Sequence, residues 1–175
     1  MLKKILIGFA GLIALLLLIA AFMPKHYSLS AEVVINQPKD SVFAFVKLIK
    51  NQEKYSKWVM ADPNVKIVYT GTDGTVGFKS SWTSDQKDVG IGEQEIIKID
   101  DGKRLDVMLR FKKPFEDDAL AYTTIETVDG NKTKLVSTFE NDAPFPSNIM
   151  VPFIKKMLKK DMDINNSNLK ALLEK

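Results

Sequence analysis

Ile5 to Met23 is a run of 19 residues without a charge, and it restricts the chain more than any other feature. Wound as a helix it is roughly 28 Å long, close to the thickness of a bilayer's hydrocarbon core. It is apolar on every face, whereas a helix packed on a soluble core keeps one polar side. Lys3 and Lys4 precede the run, and the positive-inside tendency assigns them to the cytoplasm. The rest of the chain is then expected on the outer, periplasmic or extracellular, side. A cleaved signal peptide is the rival reading. Its apolar region is shorter, at about 7–15 residues, and ends in a small-x-small site. Here Ala20 and Ala21 are followed by bulky Phe22, Met23 and Pro24, so a retained single-pass anchor over residues 1–24 is the reading adopted.

Residues 25–175 have the length of one domain. The whole chain is 45% hydrophobic and 27% charged, enough to build a core and unlike a disordered chain. With Lys3 and Lys4 set aside, the remainder is close to neutral, which provides no basic footprint for nucleic acid. There is no cysteine, which excludes disulfides, thiol catalysis and cysteine-held metals. The single histidine, His26, lies beside the membrane run and cannot form a His-rich metal site or a Ser/His/Asp set. No cofactor and no metal are expected, and the oligomeric state is left open.

Tyr27 to Asn36 sets Leu29, Ala31, Val33 and Ile35 against Ser28, Ser30, Glu32 and Asn36, the period of a half-buried strand. Pro38 and Asp40 open a helix in which Val42, Phe45, Val46 and Ile49 recur at helical spacing. A second short helix is expected over Asn51 to Trp58. From Val65 to Asp142 short alternating runs are divided by turn signals at Asp73-Gly74, Asp101-Gly102 and Asp129-Gly130-Asn131, the mark of an antiparallel meander. One of these strands, Val89 to Ile99, carries Gly90 and Gly92. After Pro144 and Pro146 a broad stripe of Ile149, Met150, Phe153, Ile154, Met157 and Leu158 continues to Leu173, the pattern of a long helix. Asn165, Asn166 and Asn168 weaken its later part. The order is strand, two short helices, six strands, long helix. An α+β fold follows, in which a curved antiparallel sheet of about seven strands wraps the last helix so that both apolar faces are covered.

This order resembles the helix-grip fold of the SRPBCC superfamily, to which START domains and pollen allergens belong. The likeness is greatest to the polyketide cyclase/dehydrase and lipid-transport branch. Carrying it are Ile35-Asn36-Gln37-Pro38 before Val42-Phe43, Trp58, Gly74 and Gly77 before Trp82, and Val89-Gly90-Ile91-Gly92. Phe111, Pro114, Gly130 to Leu135, Pro144-Phe145-Pro146 and Asn168-Leu169-Lys170 complete the series, which spans Tyr27 to Lys175. The resemblance implies a cavity between sheet and long helix that holds a lipid or another apolar molecule. It carries no universal catalytic set. Relatives often have an aromatic residue near Ser137, and a serine there implies more room or a different ligand.

Trp58, Trp82, Phe111, Tyr122, Phe153 and Met157 are the expected lining, since aromatics give large contact areas and methionine fills irregular space. Each is also what an ordinary core would contain. Gly90 and Gly92 either open space inside the sheet or mark a bulge. Asp106 and Arg110 alternate with Leu105, Val107, Leu109 and Phe111 and should face water. Glu93, Glu95 and Glu126 have no clear direction. The Lys155-Lys156 and Lys159-Lys160 pairs suit either anionic head groups or the wet side of a helix. Three functions fit. The first is an anchored binding domain for a hydrophobic molecule. The second is a cyclase, dehydratase or hydrolase using Glu95 or Tyr122 in the same cavity. The third is a ligand-free interaction domain, which a broad exposed apolar patch would mark.

Overall fold

A computed structural model describes all of residues 1–175. The first helix, α1, runs from Leu2 to Phe22, has a mean hydropathy of 2.9 and is exposed along its whole length except at Ala20. Three residues separate it from β1 (His26–Ile35). Helix α2 (Lys39–Val46) follows, then 3-10 helices at Ile49–Lys54 and Val59–Ala61. Six strands come next: β2 (Lys66–Thr70), β3 (Lys79–Thr83), β4 (Ile91–Asp100), β5 (Arg104–Lys113), β6 (Asp117–Asp129) and β7 (Lys132–Asp142). A 3-10 turn at Ser147–Met150 leads into α3 (Val151–Leu173). The strands form one antiparallel sheet in the order β1-β7-β6-β5-β4-β3-β2. Chain reversals join the consecutive strands. The pairing of β1 with β7 brings the first and last strands together, so the helices must cross the concave face.

The expected second short helix is replaced by two 3-10 segments. Their geometry is fixed by tertiary bonds: the Asp73 carboxylate accepts from the backbone N–H groups of Ile49 at 2.9 Å and Lys50 at 3.1 Å. Val76, which sits at the same alternation as Phe78, Ser80 and Trp82, lies exposed in the loop before β3. The asparagines of α3 do not interrupt it, because each bonds outside the helix. Asn165 Oδ1 accepts from Lys57 N at 2.7 Å, Asn166 Oδ1 accepts from the Ser137 hydroxyl at 3.0 Å, and Asn168 Nδ2 donates to Tyr55 O at 3.0 Å. Tertiary bonding thus overrides a weak local propensity.

Three apolar clusters fill the grip. At the end away from α1, Ile35, Val42, Phe43, Val46, Ile125, Leu135 and Leu169 close it completely. Under the 3-10 helices, Ile49, Phe78, Ile96, Leu105 and Val107 form a second cluster. Near α1, α3 lies along β1, packing Val151 and Met162 against Tyr27, Leu29, Ala31 and Ala143. Each such fully buried side chain is worth roughly 1.5–3 kcal/mol.

Candidate functional site: a half-open cleft on the concave face

Cross-strand register assigns every side chain to a face. Trp82 stands opposite Gly92, Gly92 opposite Phe111, Gln94 opposite Leu109, Val107 opposite Ala121, and Ala121 opposite Phe139. Ile96 and Val107 belong to the core, so this set lies on the concave side. Trp82, Leu109, Phe111, Ala121, Thr123 and Phe139 are only half-buried there. Helix α3 covers β1 and leaves the middle strands partly uncovered near the α1 end. The result is a cleft with an apolar sheet wall and a closed far end.

The polar groups at its border are few. Gln94 Nε2 donates to Gln52 Oε1 across to the first 3-10 helix at 3.0 Å. Ser137 bonds Asn166, whose Nδ2 is buried without a partner. Trp58 is 44% exposed and donates through Nε1 to Asp161 Oδ2 at 3.3 Å, tying the 3-10 segment to α3. Met157, one turn before Asp161, shares that flank of the helix and is exposed, as is Phe153. The outer side of α3 carries an open dip of about 510 Å3 among Lys156, Lys159, Lys160 and Asp163, with Ile164 its one apolar wall. That dip belongs to the wet side of the helix.

The structure brings Trp82, Phe111 and Ser137 onto the concave wall, where the Trp82 and Phe111 rings meet edge to face at 6.0 Å. Trp58 and Met157 share the Asp161 flank of α3, whereas Phe153, two residues past the buried Val151, is turned away from the sheet and exposed. Gly92 lies on the concave side, and neither glycine provides free space. A Cβ on Gly92 would fall 2.4 Å from Trp82 Cζ2 and 2.8 Å from Arg110 O, so the missing side chain is the seat of the indole ring. Gly90 lies just before β4 with φ +63, and its Cβ would fall 2.1 Å from Lys113 O. A register shift between Ile91 and Gly92 gives the bulge that the sequence offered as the alternative.

Tyr122 differs most from expectation. It pairs with Asp106 on the convex face, stacks under the Arg104 guanidinium at 3.7 Å and donates to Glu140 Oε1 at 2.9 Å. Burial, and then the Glu140 carboxylate, push its hydroxyl above its ordinary pKa. Asp106 is on the outer face as expected but is buried rather than bathed in water. Arg104 Nε bonds it at 2.5 Å and, with Tyr122, covers it. Glu93, Glu95 and Glu126 also face outward. Arg110 bonds Glu95 at 2.7 Å and Glu93 at 3.3 Å, with Lys79 and Lys112 beside them, while Glu126 stands opposite Lys134.

The bond from Arg110 holds the Glu95 carboxyl below the usual range, against a smaller opposing effect of burial, and Lys79 adds to the lowering. A carboxylate whose folded pKa is depressed stabilises the fold above its unfolded value of about 4.3, and that contribution is lost as pH falls through the lowered folded value. Glu95→Gln is therefore expected to melt below the parent at pH 7 and together with it near about pH 2, read as Tm at both. A variant equally displaced at both pH values would show that the ion pair is not the cause.

Sequence reasoning did not single out Leu109, Ala121, Thr123 or Phe139 for the wall. The alternation of Leu135, Ser137 and Phe139 was the available signal for Phe139.

An antiparallel sheet wrapped on a long terminal helix defines the helix-grip class of folds. Within that class the chain belongs to the family described as polyketide cyclase / dehydrase and lipid transport, whose model matches residues 26–174. Among solved structures it is similar to truncated norcoclaurine synthase from Thalictrum flavum, with TM-score 0.62, 14% identity, and 86% of this chain and 95% of that one covered. A protein from Chromobacterium violaceum matches with TM-score 0.59, 14% identity and coverage of 85% and 97%. The Ara h 8.0201 structure matches with TM-score 0.51, 20% identity and coverage of 82% and 98%. At these identities the likeness is one of fold. No curated protein matches the chain.

Proposed function

We propose that the chain is a binding domain for a lipid or another hydrophobic small molecule, residues 25–175, held at a membrane by residues 1–24 with the domain on the outer side. The observation that carries this reading is the half-buried apolar wall of Trp82, Leu109, Phe111, Ala121 and Phe139. Apolar side chains that a fold gathers on its inner face and leaves half uncovered are the lining of a ligand cleft. Glu93, Glu95, Asp106 and Glu126 point the other way, and the carboxylate at the edge of the wall, Asp117 opposite Phe111, is bonded by Asn141 Nδ2 at 2.7 Å. Glu95 and Tyr122, the two residues a cyclase or hydrolase reading relied on, both lie on the convex face. The family's description includes lipid transport, which agrees with a cleft of this kind.

The test is native mass spectrometry of residues 25–175 purified without detergent, with solvent extraction of any added mass. Titration with a fluorescent fatty acid and a fluorescent phospholipid accompanies it. The solved neighbours are matched over nearly their whole length without α1, which makes this segment the unit to study. A discrete mass that extracts as lipid, or saturable uptake of either probe, supports the reading. Ala121→Trp, which fills the cleft from the middle of the wall, is expected to weaken uptake by about tenfold or more, equivalent to about 1.4 kcal/mol. An empty protein that takes up neither probe overturns it.

A further inference from the structure

One end of the sheet gathers the start of β1, the end of β7, the β5–β6 turn and the β3–β4 turn. The register requires this, because His26 faces Asp142, Arg110 faces Asp118 and Ile91 faces both Thr83 and Lys113. Helix α1 ends at the same place. Asn148, fully buried in the turn before α3, donates from Nδ2 to Ala20 O at 2.7 Å and Met23 O at 3.0 Å. Ala20 O also accepts from Met23 N at 3.3 Å, so the Asn148 amide reinforces the C-cap of the helix. Ala143 N donates to Lys25 O at 2.6 Å and fixes the junction from the other side.

This end also exposes large apolar side chains. Phe115, at the tip of the β5–β6 turn, is 80% exposed and Phe153, in the first turn of α3, is 70% exposed. Phe22, Phe145 and Met150 stand out beside them. Lys25, Lys112, Lys113 and Lys155 are interspersed, with stems long enough to reach a head-group layer while their aliphatic parts stay among apolar groups, and the exposed carboxylates Glu116, Asp117, Asp118 and Asp142 stand at the same end. The opposite end, at the β6–β7 turn, presents Asp129, Gly130, Asn131 and Lys132.

We propose that this end is a membrane-inserting rim, with Phe115, Phe145 and Phe153 seated in the interfacial layer of the leaflet from which α1 emerges. The inference rests on the reading of α1 as a bilayer-spanning anchor. Its occupant is lipid rather than a protein partner, because the patch is continuous with the end of an apolar helix that Asn148 fixes to it. Aromatic and aliphatic side chains grouped on one pole belong in that layer and are rare on a surface that meets only water. The Trp82–Phe111 corner of the cleft lies toward the same pole, so the cleft opens on lipid and its ligand enters without crossing water.

The absence of cysteine makes the test direct. Single variants Phe115→Cys, Phe153→Cys, Leu12→Cys and Asn131→Cys of the full chain are each given a nitroxide label and placed in phosphatidylcholine–phosphatidylglycerol vesicles. Collision with oxygen is compared with collision with a water-soluble nickel chelate. All four positions are exposed, so labelling does not disturb the core. The expected result is an oxygen-to-nickel ratio several-fold higher at 115 and 153 than at 131, approaching that at 12. Labels at 115 and 153 that match 131, with the label at 12 inside the bilayer, overturn the rim and leave the anchor standing. A label at 12 in water overturns the anchor, and the rim with it.

Discussion

Gly90→Ala is expected to lower the stability of the domain by about 3 kcal/mol or more, the upper range for overpacking at an unyielding site. The methyl group would fall 2.1 Å from Lys113 O and 2.9 Å from Lys113 C, and both obstacles are backbone. No rotamer change relieves such a contact. Moving either strand would disturb the corner where β4 leaves β5. The positive φ of 63° adds the ordinary cost, about 1 kcal/mol, of placing a side chain in the left-handed region. Gly77→Ala separates the two effects, because Gly77 has φ +88 but nothing within 4 Å of the added carbon. It is expected to show the strain alone. Urea unfolding of residues 25–175 measures both, and equal losses in the two variants would show that crowding at Lys113 is absent.

Phe78→Ala is the second large effect, at about 3–5 kcal/mol. Phe78 is the largest fully buried side chain in the molecule and lies among Ile49, Ile96, Leu105 and Val107. It stacks on Tyr69 with ring centroids 5.8 Å apart. Its backbone is fixed as well, since Phe78 O accepts from Ile96 N at 2.9 Å and Gly77 N donates to Ile96 O at 2.8 Å. The neighbours cannot close over the gap, because the sheet holds one side and the 3-10 helix of Ile49 the other. A cavity term therefore adds to the lost transfer energy. Phe78→Leu, which keeps most of the volume, is expected to recover more than half of the loss in the same unfolding measurement.

The architecture was legible because a strand with one wet face writes a period of two. Leu29, Ala31, Val33 and Ile35, and again Leu105, Val107, Leu109 and Phe111, recur at every second position, broken in polarity only by Val34 and Met108, and the turn signals between runs give the meander. The direction of β6 was not legible, since Leu120 and Tyr122 are as apolar as Ala119 and Ala121. Its bulkier residues face outward because Arg104 and Glu140 hold Tyr122 there, a fact that exists only once three strands are in register. The glycines are similar. That Gly92 is the seat of the Trp82 indole depends on a pairing ten residues apart, whereas the sequence alone favoured a bulge or bend over ligand space without naming the ring that fills it. The burial of Asp106 was hidden for the same reason: its partner lies two residues away on its own strand, while the ring that completes its cover comes from the next. That the expected short helix over Asn51 to Trp58 is two 3-10 segments was not legible, because the bonds of Asp73 that shape the first come from more than twenty residues downstream.

Three residues link α1 to β1, and Asn148 bonds Ala20 O in the last turn of the helix and Met23 O at its cap. A stretch of that length reaches at most about 10 Å even when straight. The domain therefore has no tether on which to swing. Under the proposed anchoring it would not travel to a distant acceptor, search a volume or cross to a facing membrane. Its height and heading above a bilayer would be set like those of a fixture, and any molecule exchanging a ligand with it would have to come within contact distance of that one surface.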